Sequence, residues 1–160
     1  MKIVAIIDTS ILCNILNIPH MNGERKRVIE KWRELLDQNA SFLLPMATIY
    51  ETGNHIAHLP DGHQRRQWAE FFVIQVKQSI DGEAPWQVIQ LPDTREIGEW
   101  LKDFPDSAMR GAGMGDLSII KEWEKMQKKA PHCRVVIWSL DCDLQGYDYH
   151  PPSIAFSNET

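Results

Sequence analysis

The chain has 160 residues, 43% of them hydrophobic and 24% charged, which suits one globular domain with a single core, and no second independent domain is expected. A formal net charge of -5 argues against a protein that grips nucleic acid by bulk positive charge, and no apolar run approaches the roughly 20 residues of a membrane span. The three cysteines, Cys13, Cys133 and Cys142, are odd in number, widely spaced and without a CxxC pair, so neither a disulfide framework nor a cysteine zinc site is expected.

The opening MKIVAIIDTS carries too short an apolar stretch for a secretory signal, and a cytoplasmic protein is expected. Ile3 to Ile7 is a continuous apolar run, the pattern of a strand buried on both faces of a parallel sheet, and Asp8 ends it. Residues 24 to 38 space Val28, Ile29, Trp32, Leu35 and Leu36 at three and four, which predicts an amphipathic helix. A second strand, Phe42 to Leu44, stops at Pro45, which can open a helix through about His58. Trp68, Phe71, Phe72 and Val76 predict a helix over 63 to 80, followed by a strand from Val88 to Leu91. Asp93 or Thr94 can cap a helix containing Ile97, Trp100, Leu101 and Phe104, with Pro105 and glycines 111, 113 and 115 marking a loop after it. The last long helix is expected from about Met114 to Lys129, and the last strand from Arg134 to Trp138.

Strands alternating with helices predict an α/β fold whose mostly parallel sheet is covered by helices on both faces, with its site at the carboxyl ends of the strands. The expected domain spans 1-150, and the tail from Pro151 to Thr160 is expected to be irregular.

Asp8 directly follows a buried-looking strand, Asp141 closes another after Ser139 and Leu140, and Asp143 lies within reach of the same edge. For Asp8 the plain alternative is that it, Thr9 or Ser10 only caps the next helix. On a helical wheel Asp116 falls inside the apolar stripe of Ile119, Ile120, Trp123 and Met126, with Lys121, Glu122 and Lys125 pointing the other way. Its carboxylate can satisfy first-turn amides, overlook a charged cleft, or do both. Glu51 lies away from the stripe of Met46, Ile49, Tyr50 and Gly53, so solvent exposure is its default reading. Carboxylates gathered at one sheet edge repel one another unless a cation neutralises them, and hard oxygen ligands select Mg²⁺ or Mn²⁺ over Zn²⁺.

Basic residues cluster at 25 to 33, at Arg65 and Arg66, and at Lys121, Lys125, Lys128 and Lys129. Each reads first as a solvated helix face, and together they could guide an RNA backbone toward the acidic pit. The glycines of RGAGMGD do not match a phosphate-binding loop, and His55, His58 and His63 match no familiar zinc spacing.

In order along the chain, IIDTSIL, PMATIYETGNHI, GMGDLSII and VVIWSLDCDL resemble the four acidic motifs of PIN-domain nucleases of the VapC toxin type. The resemblance covers nearly the whole chain, although each motif is short. It implies a three-layer PIN-like fold and a metal-dependent endoribonuclease, possible toxin of a toxin-antitoxin module. It assigns catalysis and metal binding to Asp8, Glu51, Asp116 and Asp141, with Asp143 as a further metal-binding acid. It turns Glu51 from a surface residue into a ligand and makes Thr9, Ser10 and Ser139 secondary candidates near the metal or its waters. The expected partners are an RNA substrate, an antitoxin and a second copy of the chain, with no membrane. The segments from Asn17 to Asn39 and from Asp61 to Ile80 are long for a minimal toxin. Two rivals stand beside this reading: a PIN-like RNA-binding or scaffold subunit with little activity, and a Mg-dependent phosphatase using Asp8. The second is weakened because Ser10 stands where haloacid dehalogenase-like enzymes carry a second aspartate.

Overall fold

The computed structural model describes residues 1–152. The expectation of an irregular tail falls, beyond its first two residues, outside them. Five strands, β1 (Ile3–Ile7), β2 (Ser41–Leu44), β3 (Trp86–Val88), β4 (Arg134–Trp138) and β5 (Asp148–Tyr149), form one sheet in the order β3-β2-β1-β4-β5. The first four run parallel and β5 pairs antiparallel to β4, so the sheet is mixed only at its edge. Six helices flank it: α1 (Thr9–Ile15), α2 (Arg25–Asp37), α3 (Met46–Ala57), α4 (Gly62–Ile80), α5 (Thr94–Met109) and α6 (Met114–Lys129). None of them is long and apolar enough to cross a membrane.

The central strand explains the layers. Every residue of β1 is buried, and alternate side chains feed different cores because a strand points successive residues to opposite faces. Ile3, Ala5 and Ile7 join α1 and α2, with Ile56 of α3 and Trp68 and Phe72 of α4 packed in. Val4 and Ile6 join Val135 and Ile137 of β4 and Ile119 of α6 on the other side. Helix α5 packs on α6.

The sequence expectations depart from this fold at three places. The strand expected at 88 to 91 is β3, shifted to Trp86–Val88, because Trp86 is the buried residue, its ring centroid 5.6 Å from that of Trp32 in a tilted pair, while Leu91 is 63% exposed. Helix α5 runs through Pro105 to Met109. Proline removes one amide donor, and the carbonyl it would have served, on Leu101, sits on an exposed stretch where water can replace it. The two-residue β5 has no periodic signal to reveal it, and it is held by an Arg134–Asp148 ion pair at 2.6 Å.

Thr48, fully buried in the first turn of α3, donates its hydroxyl to the Ile7 carbonyl at 2.8 Å and so fixes α3 against the end of β1. Thr48→Val keeps the shape and removes the donor. It is expected to lower unfolding free energy by about 1–2 kcal/mol in urea titrations, and an unchanged midpoint would show that this bond does not anchor the helix.

Candidate active site

Ile7 of β1 is paired with Trp138 of β4, so the two chain segments leave the sheet side by side at its carboxyl edge. The Asp8 amide donates to the Trp138 carbonyl at 3.1 Å, which holds the exits together. Asp8 then caps α1, its Oδ2 accepting from the Ser10 amide at 3.3 Å. The same Oδ2 accepts the hydroxyls of Ser10 and Ser139, each at 2.8 Å. Capping is therefore real, and it uses one oxygen; Oδ1 accepts no hydrogen bond among the described residues. The network continues outward, with the Leu140 amide donating to Ser10 Oγ at 3.0 Å and the Asp141 amide to Ser139 Oγ at 2.9 Å.

Glu51, on the second turn of α3, is half-buried and accepts the Thr9 hydroxyl at 3.1 Å. Its default reading as a solvated surface residue is overturned by this bond. Asp116 lies in the first turn of α6, also half-buried. Its carboxyl is pushed above the ordinary aspartate range, first by burial and then by the negative charges of Glu51, Asp141 and Asp8, with a backbone hydrogen bond at Gly113 acting in the opposite direction. Four carboxylates from four separate segments thus share one electrostatic field. Among the described residues none of the four forms an ion pair with lysine, arginine or histidine.

Asp141 and Asp143 are exposed on the loop after β4, and the Asp143 amide donates to Asp141 Oδ1 at 2.9 Å. Their ligating atoms and that of Cys142 lie within 4.8 Å of one another. Asp8, Glu51 and Asp116 do not close to that spacing as a trio. Among the secondary candidates, Ser10 and Ser139 hold Asp8, whereas Thr9 holds Glu51. Beneath them the buried Cys13 thiol is pushed up to about 11, chiefly by burial, with Asp8 and Glu51 adding to the effect. This makes it an inert core group rather than a nucleophile.

Three features of the site lie beyond what the sequence pattern predicts. A Cβ on Gly115 would collide with Glu51 Oε1, so this glycine lets α6 approach the glutamate. Glycine inside a helix, one residue before a core-facing aspartate, is the signal that could have revealed it. Arg110 lines a cleft of about 600 Å³ together with Asp116 and Asp143. Glu122, expected to face outward, is only 6% exposed, because α5 and α3 cover the side of α6 opposite the sheet. The basic face of α6 is also less open than expected: Lys121 pairs with Asp103 and Glu124, and Lys125 with Glu96 at 2.6 Å.

A chain of the VapBC2 complex from Rickettsia felis, bound to a DNA fragment from their promoter, superposes with a TM-score of 0.51 at 14% identity, covering 85% of this chain and 99% of that one. The likeness shows a PIN-like α/β fold. No protein-family model matches the sequence, and no curated protein does.

The raised carboxyl of Asp116 carries a stability consequence. The folded chain holds this proton more tightly than the unfolded chain, so ionisation works against folding at neutral pH and ceases to matter below the ordinary value of 3.8. In chelator at neutral pH, Asp116→Asn is expected to melt at or above the wild-type temperature. The advantage should narrow as pH is lowered toward 3.8. A variant that melted lower at neutral pH would mean that Asp116 is a structural acceptor and not a repelled acid.

Proposed function

We propose that the protein is a divalent-metal-dependent endoribonuclease. The observation that carries this reading is that Asp8, Glu51, Asp116 and Asp141 are gathered from four segments at one sheet edge with no basic side chain paired to them among the described residues; burial and then the three neighbouring charges push the Asp116 carboxyl upward. A donor set made of carboxylate oxygens, mutually repelled and without a cationic partner, fits a hard divalent ion such as Mg²⁺ or Mn²⁺. In this reading Asp8, Glu51, Asp116 and Asp141 hold the ion and Asp143 supplies an outer carboxylate. Bound there, such an ion lowers the pKa of water and balances the charge of in-line attack on a phosphodiester.

The protein's own residues have distinct roles. Ser10 and Ser139 immobilise Asp8 through Oδ2 and leave Oδ1 for a ligand. Thr9 fixes the orientation of Glu51, and Gly115 leaves room for it. Arg110, exposed in the adjoining cleft, offers positive charge for an RNA phosphate approaching an otherwise repulsive site. Lys121 and Lys125 are committed to acids and do not serve this purpose. The phosphatase rival loses support because the Ser10 hydroxyl is spent on Asp8 itself. The likeness to a chain of a VapBC2 complex supports a toxin of a toxin-antitoxin module with an antitoxin as partner; a cytoplasmic place of action and a homodimer belong to the same proposal.

Single-stranded and hairpin RNAs incubated with Mn²⁺ or Mg²⁺ are expected to be cut, and EDTA to abolish cutting; equal cleavage in chelator would sink the metal mechanism. Asp116→Asn and Asp141→Asn are expected to lose cleavage with the fold intact, while Asp37→Asn, at the exposed end of α2, keeps it. RNA bound but uncut by the wild type in every metal would favour the scaffold reading. Gly115→Ala should displace Glu51 and lower the rate, by on the order of 10²-fold for a misplaced catalytic group, with little change in melting temperature.

A second experiment isolates Asp8. Added Mn²⁺ stabilises a protein that binds it in the folded state, by mass action. The Mn²⁺-induced rise in melting temperature should therefore shrink in Asp8→Asn, whose capping ability is largely kept. An equal rise in both proteins would make Asp8 a structural cap only.

A further inference from the structure

Beside the acidic site lies a cleft of about 340 Å³ between α3, α5, α6 and the segment after β3. Its walls are apolar and partly aromatic, including Tyr50, Ile89, Pro92, Trp100 and Met114. Glu51 and Gly115 line it too, so it opens directly onto the proposed metal site. It also contains Glu122, which is only 6% exposed and whose carboxylate takes part in no hydrogen bond or ion pair among the described residues. Its oxygens are not sealed from the cleft, since the buried polar atoms without partners among the described residues are on Trp32 and Thr52; with no donor of the chain engaged, they are open to a ligand that brings N–H groups to both.

Building on the ribonuclease reading, we propose that this cleft is a nucleobase subsite that selects guanine in the RNA strand beside the scissile phosphate, with Glu122 reading its Watson–Crick edge. Guanine is the one common base whose edge presents two adjacent donors, N1–H and the 2-amino group, parallel to the two oxygens of a carboxylate. Adenine and cytosine place a ring acceptor beside their amino group, which would face the second oxygen, and uracil offers one N–H between two carbonyls. The flat, apolar walls suit a base splayed out of a single strand, the usual mode of RNA sequence recognition. Tyr50 and Trp100 are the aromatic surfaces available for stacking. An arginine side chain presents a similar pair of donors. However, Lys125 and Lys129 already place positive charge in the field of Glu122, while Glu96 adds negative charge. With Glu51 also lining the cleft, charge alone does not choose between a neutral base and a guanidinium; the base is favoured because it fills far more of the apolar volume.

The test measures binding in chelator, where no cleavage occurs, using nucleosides, which bring no phosphate to the uncompensated carboxylates, and calorimetry on the whole chain. Guanosine is expected to bind about tenfold or more tightly than adenosine, cytidine and uridine, the discrimination of a good bidentate pair. Inosine, lacking the 2-amino group, and 1-methylguanosine, lacking N1–H, should each lose most of that preference in the wild-type protein. Glu122→Gln, with its fold checked by melting, should flatten it. In Mn²⁺, cuts in RNA should fall beside guanine in the wild type and lose that bias in the variant. Equal or absent binding of all four nucleosides would overturn the subsite even if RNA were cut, leaving the nuclease intact. Selective guanosine binding by a protein that cuts no RNA would uphold the subsite and remove the nuclease reading. Tighter binding of N-acetyl-arginine amide than of guanosine would overturn the proposal and make the cleft a seat for a protein side chain.

Discussion

One carboxylate oxygen, Asp8 Oδ2, accepts the Ser10 amide, the Ser10 hydroxyl and the Ser139 hydroxyl. Those three donors belong to the start of α1 and the end of β4, so a single buried acceptor ties the two strand exits and the first helix into one rigid corner. A carboxylate oxygen that receives three hydrogen bonds from two chain segments has its position over-determined. The rest of the site is built outward from this corner. Ser10 and Ser139 pass the constraint on to the Leu140 and Asp141 amides, and Thr9, adjacent to Asp8, passes it to Glu51.

The charges held in this way work against the fold. Burial and three neighbouring anions oppose ionisation of Asp116, and two of those anions, Asp8 and Glu51, disfavour a thiolate at Cys13 below them. The apolar layers on both faces of β1 must supply the compensating stability. Such a division, a strained electrostatic edge on a well-packed frame, is how functional sites are commonly tolerated. The same tension reappears at Glu122, a lone carboxylate set in the apolar wall next door.

Much of this arrangement is legible in local pattern. An apolar run that ends on aspartate places a carboxylate at a sheet edge, and that reasoning locates Asp8 and Asp141. The helical wheel places Asp116 on the inward side of α6. Glu51 is beyond such reasoning because the hydroxyl that engages it lies 42 residues away, and only the motif resemblance points to it. Glu122 escapes the wheel because a wheel assumes one buried face, whereas α6 is covered on two. Pro105 resembles a helix end because the rule concerns the lost donor and says nothing of the water that can serve an exposed carbonyl.

The close approach of Gly115 to Glu51 has a consequence for how this protein can change over generations. A Cβ at position 115 displaces the end of the glutamate side chain, so with Glu51 in the role proposed above a larger residue there is tolerated only after position 51 has been shortened. The reverse order passes through a chain whose acid is misplaced. On that proposal positions 51 and 115, far apart in sequence and on different helices, would be inherited as one unit. A lineage that abandons the glutamate frees the glycine, and one that keeps the glutamate is bound to both.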